Sequence, residues 1–258
     1  MKVMLYSPSP DIKDENSFFE VMEQARDLGG DLLVFPENAY TPYNELLSSV
    51  DILSAEEYEE VLECLYDFCS ELGYAAVFNA TDDFGFCYSL YVNPMAHRGE
   101  TYNKLYIKHT CAKLTCFDLE DYDKCICELF EPIIYRGKKL GLSIGEDIFL
   151  PHIFNRYASG GVDFVLNSFG VEGENIVSAA QKQSKWKNVV VAGAGIGGEC
   201  FGIVPGGDAC DVVCEGESLY SFSFDNRCYG KTYGDKPFFA ETEEYVGKNA
   251  DKYALLQK

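Results

Sequence analysis

The chain has 258 residues, of which 47% are hydrophobic and 14% aromatic, enough for one large core in an α/β domain of ordinary size. A formal net charge of −21 repels phosphate backbones and anionic lipid, so nucleic acid and membrane surfaces are excluded as expected partners. Eleven cysteines, an odd number without a framework spacing, read as reduced thiols of a cytoplasmic protein, because "MKVMLYSPSP" reaches Ser-Pro-Ser-Pro before any apolar export signal builds up.

In chain order, "KVMLYS" predicts a strand, "ENSFFEVMEQARDLG" an amphipathic helix ending at glycine, and "DLLVFP" a second buried strand. A longer acidic helix comes next, "SAEEYEEVLECLYDFCSELG", with Ser54 as its N-cap. "YAAVFNATDDFGFCYSLYVNP" predicts two strands about a turn. "ETYNKLYI" and "KKLGLSIG" predict strands, and a helix is expected after Pro151. Then come a strand in "VDFVLNSF", a helix near "NIVSAAQKQSKW", a strand in "KNVVVAGAG" and a glycine-rich, strand-like part to about Phe224. Short runs of Val, Leu and Ile alternating with helices predict an α/β layered domain over residues 1–230, with a C-terminal arm or tail, 231–258, beyond it.

Several motifs carry less than they promise. "NVVVAGAGIGG" contains G-x-G-x-x-G at Gly193, Gly195 and Gly198, but a dinucleotide site needs a helix next, and Pro205, Gly206 and Gly207 fall where it should run. His109, Cys111 and Cys116, with Cys125 and Cys127 beyond, lack the paired C-x-x-C spacing of a structural zinc site. Neither an H-E-x-x-H nor a G-x-S-x-G pattern occurs, and no cofactor or metal is expected.

Three stretches place a charged or special residue at an apolar strand. Glu37 comes directly after the strand of "DLLVFPENAY", Lys104 lies within "ETYNKLYI", and "KLGLSIGEDIFLP" stops at Gly145. A glutamate and a lysine on strands of one sheet can serve as general base and oxyanion stabiliser if they meet in a pocket. Taken singly, each reads as an ordinary exposed charge.

Together the stretches resemble the nitrilase superfamily of carbon–nitrogen hydrolases. "LLVFPE" is similar to its glutamate segment, "YNKLYI" to its lysine segment and "GLSIGEDIFLP" to its nucleophile segment. "GGVDFVLNSFG" is similar to the segment after it, and Asp14 to Ala25 to the family's first helix. The resemblance implies a four-layer α-β-β-α sandwich, commonly dimerised. It also implies a reaction on amide or nitrile C–N bonds through a cysteine acyl-enzyme, with Glu37 handling protons and Lys104 steadying the oxyanion. Glu120, in "CFDLEDY", is the nearest match to a second family glutamate.

Two departures stand out. The position matching the nucleophile is Gly145, which has no atom that attacks a carbonyl, and "AAQKQSKWKN" puts lysines where the family often has arginine and glutamate. Ser143, two residues back on the same strand face and roughly 6–7 Å deeper, is a poor substitute. The expectation is a catalytically impaired hydrolase fold that keeps a pocket for a small amide, nitrile or carboxylate and forms a homodimer or higher homo-oligomer. Two alternatives are an active hydrolase using water activated by Glu37, and a structural protein acting through its oligomer.

Overall fold

The computed structural model describes residues 1–8, 17–37, 65–81, 87–94, 104–107, 132–170, 173–216 and 218–223. Among them two sheets form. The first runs β12 (Val213–Cys214), β13 (Leu219–Ser223), β1 (Lys2–Tyr6), β2 (Leu32–Val34), β3 (Ala75–Thr81), β4 (Cys87–Val92) and β5 (Lys104–Ile107) from edge to edge. The second runs β11 (Ala209–Cys210), β10 (Cys200–Ile203), β9 (Val190–Ala194), β8 (Phe164–Ser168), β7 (Lys138–Ile144) and β6 (Ile133–Tyr135). Each has a parallel centre, β1-β2-β3 and β7-β8-β9, with antiparallel strands outside. The parallel strands are covered on both faces, which is why they read as unbroken apolar runs.

Strand pleating sorts the side chains into layers. On the first sheet Val3, Leu5, Leu32, Val34 and Val77 join Leu142, Ile144, Leu166 and Ala192 of the second in one core between the sheets. Their neighbours Met4, Tyr6, Leu33, Phe35, Ala76 and Phe78 point the other way, onto Val21, Met22 and Ala25 of helix α1 (Ser17–Asp27) and onto Leu65 and Cys69 of helix α2 (65–72). Helices α3 (Pro151–Ser159) and α4 (Gly173–Lys187) cover the second sheet, through Phe154, Tyr157 and Ala180 among others. The order is therefore α-β-β-α, as the resemblance implied. The tail from 231 lies outside the described residues.

One hairpin escaped the sequence reading. β6 and β7 pair antiparallel about Arg136 and Gly137, both with positive φ (47° and 74°), the backbone of a tight I′ turn. Arg-Gly lacks the Asn or Asp that usually marks such a turn.

Beyond Leu140, the last β7 residue paired with β6, the strand edge is completed by a side chain instead of a strand. The Leu142 N–H donates to the Tyr157 hydroxyl (2.9 Å), which in turn donates to the Leu142 carbonyl (2.6 Å). Tyr157→Phe should therefore strand two buried backbone groups and cost roughly 1–3 kcal/mol. Burial also pushes the Tyr157 hydroxyl above its ordinary pKa. With the folded value above the unfolded one of about 10, this contribution is present below pH 10 and fades as pH rises further. Urea unfolding at pH 7 and at higher pH should show a lower midpoint for the phenylalanine variant and a shallower alkaline decline.

Candidate active site

The end of β7 is the centre of the site. After Ile144 the chain enters a 3-10 turn, Gly145–Phe149, whose first residue is buried with φ +48°. That left-handed backbone suits glycine and costs another L residue roughly 1–2 kcal/mol. The turn is held from beneath. Asn167 of β8 donates through Nδ2 to Ser143 Oγ (2.7 Å) and to the Gly145 carbonyl (3.4 Å), and Gln183 of α4 donates to the Ile148 carbonyl (3.1 Å). Ser143 is fully buried and engaged by Asn167, which agrees with its reading as a poor nucleophile.

Glu37 arrives from the other sheet. The Phe35 N–H donates to the Val77 carbonyl (3.0 Å), and the Phe35 carbonyl accepts from Asn79 Nδ2 (2.9 Å). Asn79 Nδ2 also donates to Ser168 Oγ at the end of β8 (2.8 Å), and Ser89 Oγ donates to Asn79 Oδ1. Asn79, Ser89 and Ser168 are all fully buried. This small network ties the Glu37 segment to the strand beside Gly145, and the Glu37 N–H closes the join by donating to the Phe169 carbonyl (3.3 Å).

The join encloses a cavity of about 160 Å³ lined by Glu37, Gly145, Glu146, Phe149, Phe169, Gly170, Asn175 and Ile176. That is roughly ten times the space one water requires. Glu37 and Gly145, candidates from segments more than a hundred positions apart in the sequence, thus face one space. None of the described lining residues is a cysteine, and burial pushes the thiols of Cys69 and Cys200 up to about 12, away from the reactive thiolate.

Phe169, which sequence reasoning did not single out, forms one wall, and Gly195 fixes its position. A Cβ on Gly195 would lie 2.2 Å from Phe169 Cε2 and 2.8 Å from the Glu199 carbonyl oxygen. Gly193 is covered in the same way by Phe201, so these two glycines of the G-x-G-x-x-G stretch are seats for aromatic rings. After β9 the chain enters strand β10, paired antiparallel with it, in place of the helix a dinucleotide would need. Gly195→Ala should displace the Phe169 ring and weaken binding of any cavity ligand several-fold beyond its effect on stability. Titration with a small aliphatic amide beside a urea melt separates the two.

Lys104 opens β5 opposite Tyr91, which lies opposite Val77 and so in the register row of Val34. Its backbone is three strands across from β2, roughly 14 Å at ordinary strand spacing. Glu120, His109, Cys111, Cys116, Cys125 and Cys127 lie outside the described residues. Among the described residues no group of three or more His, Cys, Asp or Glu side chains could hold a metal ion, and no helix is long and apolar enough to cross a membrane.

No family model matches the chain, and no curated protein does. Solved structures do. The NitN amidase from Nesterenkonia sp. AN1 superposes with a TM-score of 0.64 at 16% identity over 95% of this chain and 99% of its own. A glutamate-to-glutamine variant of the Nesterenkonia amidase, carrying acrylamide added to its active-site cysteine, aligns at 0.63 and 15% identity over 91% and 97%. A cysteine-to-alanine variant of that enzyme in complex with butyramide aligns at 0.62 and 16% over 86% and 89%. That amidase is a member of the nitrilase superfamily. Identity this low speaks to architecture, and on that ground the chain has the fold of the nitrilase-superfamily amidases.

Proposed function

We propose that this protein binds a small amide, nitrile or carboxylate in the cavity between Glu37 and Gly145 and has lost the covalent catalysis of its fold relatives. The observation that carries the reading is the cavity itself, which joins the strand-end glutamate to a turn whose first residue is glycine. In the reaction the resemblance implies, a cysteine sulfur attacks the amide carbon, ammonia departs with a proton delivered by the glutamate, and water then hydrolyses the acyl-enzyme. Glycine supplies no such atom. Glu37 keeps the general-base position, with Lys104 in the oxyanion role and Glu120 as a second glutamate. The protein acts in the cytoplasm as a homodimer or higher homo-oligomer, an assembly that light scattering would check.

The test is ammonia release from a panel of amides, nitriles and N-carbamoyl compounds, beside calorimetric titration with butyramide. Binding without turnover is the expected result, and efficient hydrolysis by the unaltered protein would sink the reading. The cavity has room for water beside Glu37, which favours one second reading, direct hydrolysis by water that Glu37 activates. Turnover that vanishes in Glu37→Gln but resists thiol alkylation would be its signature.

A further inference from the structure

The edge where β12 and β13 lie against β10 gathers thiols from both sheets. A Cβ on Gly202 of β10 would lie 2.3 Å from the Phe222 ring of β13, so Gly202 faces the first sheet. Cys200, two residues earlier on the same strand, faces the same way. Phe222 faces back toward the second sheet, and so does Tyr220, two residues before it. Cys214 is the cross-strand partner of Tyr220 in the β12–β13 ladder, and such partners share a face. The two cysteines therefore enter the space between the sheets from opposite sides, both beside Tyr220. The start of β10 is fixed there, because the Gly198 N–H donates to Ser7 Oγ (2.8 Å) and a Cβ on Gly198 would lie 3.2 Å from the Tyr220 hydroxyl. Both thiols are close enough for their charge to act on the Tyr220 hydroxyl, and Cys214 on Cys200.

Cys214 is exposed and its Sγ–H donates to the Gly216 carbonyl (3.2 Å), whereas Cys200 is partly buried. Burial pushes the Cys200 thiol up to about 12, so an oxidant in solution reacts first at Cys214. β12 is two residues long and both are exposed, so it can move toward β10 at little cost in packing. We propose that Cys200 and Cys214 form a modification site, at which a low-molecular-weight disulfide converts the two thiols into a bond that clamps β12 to β10. The Cys214 thiolate attacks one sulfur of the reagent RSSR, whose S–S bond breaks, and one RS⁻ leaves and takes up a proton. Cys200 then gives its proton to water, and its thiolate attacks the Cys214 sulfur of the mixed disulfide, expelling the second RS⁻. Two protein thiols are oxidised, and one RSSR is reduced to two RSH. The clamp joins one sheet to the other and stands apart from whatever the cavity binds.

The test is incubation of the full chain with glutathione disulfide at mildly alkaline pH, then alkylation, proteolysis and mass spectrometry without reductant. A peptide linked through Cys200 and Cys214 is the expected product, and dithiothreitol should reverse it. In Cys200→Ser, Cys214 should stop at the mixed disulfide with glutathione. The link closes a loop of 15 residues, Cys200 to Cys214, so oxidation should raise the urea midpoint by on the order of 1 M. Cys214→Ser, an exposed change the fold should tolerate, should abolish that rise. A Cys214 that does not react, or that stays glutathionylated in the unaltered chain, overturns the site. A link from Cys214 to Cys210, which stands opposite Gly202 on β11, or to any other cysteine overturns the pairing. A Cys200–Cys214 link that leaves the midpoint unchanged or lowers it overturns the clamp.

Discussion

Gly145→Cys should give this chain a measurable amidase activity if the proposed loss of the nucleophile is what holds its turnover down. In a serine-protease triad, loss of the nucleophile costs on the order of 10⁶ in kcat, about 8 kcal/mol of barrier. Restoring a thiol at the turn should recover only part of that, so a gain of roughly 10³-fold or more over the unaltered protein is the expected scale. The backbone imposes a cost, because a side chain at φ +48° is strained by about 1–2 kcal/mol. The variant should therefore unfold at a lower urea concentration while releasing ammonia faster, a combination that simple damage would not produce. Thiol alkylation should abolish the gain. If the cysteine variant and the unaltered protein are both silent although butyramide binds, the pocket is a binding site whose other catalytic groups no longer meet. If the unaltered protein is already active, water activated by Glu37 becomes the mechanism.

The second large effect is expected at Asn79. Its amide joins Phe35, Ser89 and Ser168, so Asn79→Ala strands a carbonyl and two hydroxyls in the region where the two sheets meet. At about 1 kcal/mol or more for each stranded group, the loss should reach roughly 3 kcal/mol. Butyramide affinity should fall as well, because the same network holds the Glu37 segment against β8. An unfolding free energy from urea titration within about 0.5 kcal/mol of the unaltered protein, with affinity unchanged, would show that the network positions nothing.

Much of the architecture was legible because it obeys local rules. Buried parallel strands must be apolar on both faces, so "KVMLY", "LLV" and "FVLNS" announced themselves, and Pro151 marked the start of α3. Glu37 and Gly145 were legible as residues at strand ends, although nothing local said that they share a cavity. Asn79 and Asn167 left a faint signal as lone amides inside apolar strands, a placement that demands a buried partner. Their partners could not be named, because Ser168 lies 89 positions from Asn79 and Ser143 lies on the neighbouring strand. Phe169 and Gly195 left none, since a ring resting on a glycine is a contact between separate strand ends.

Local composition and periodicity were enough to specify the alternation of strands and helices and the strand ends that bear Glu37 and Gly145. The layer order came through the family resemblance of those same segments. Packing alone brought Glu37 and Gly145 to one cavity, set Glu146 and Phe149 on its edge, and seated the Phe169 wall on Gly195. Those relations arise from two sheets lying face to face, which no one segment encodes.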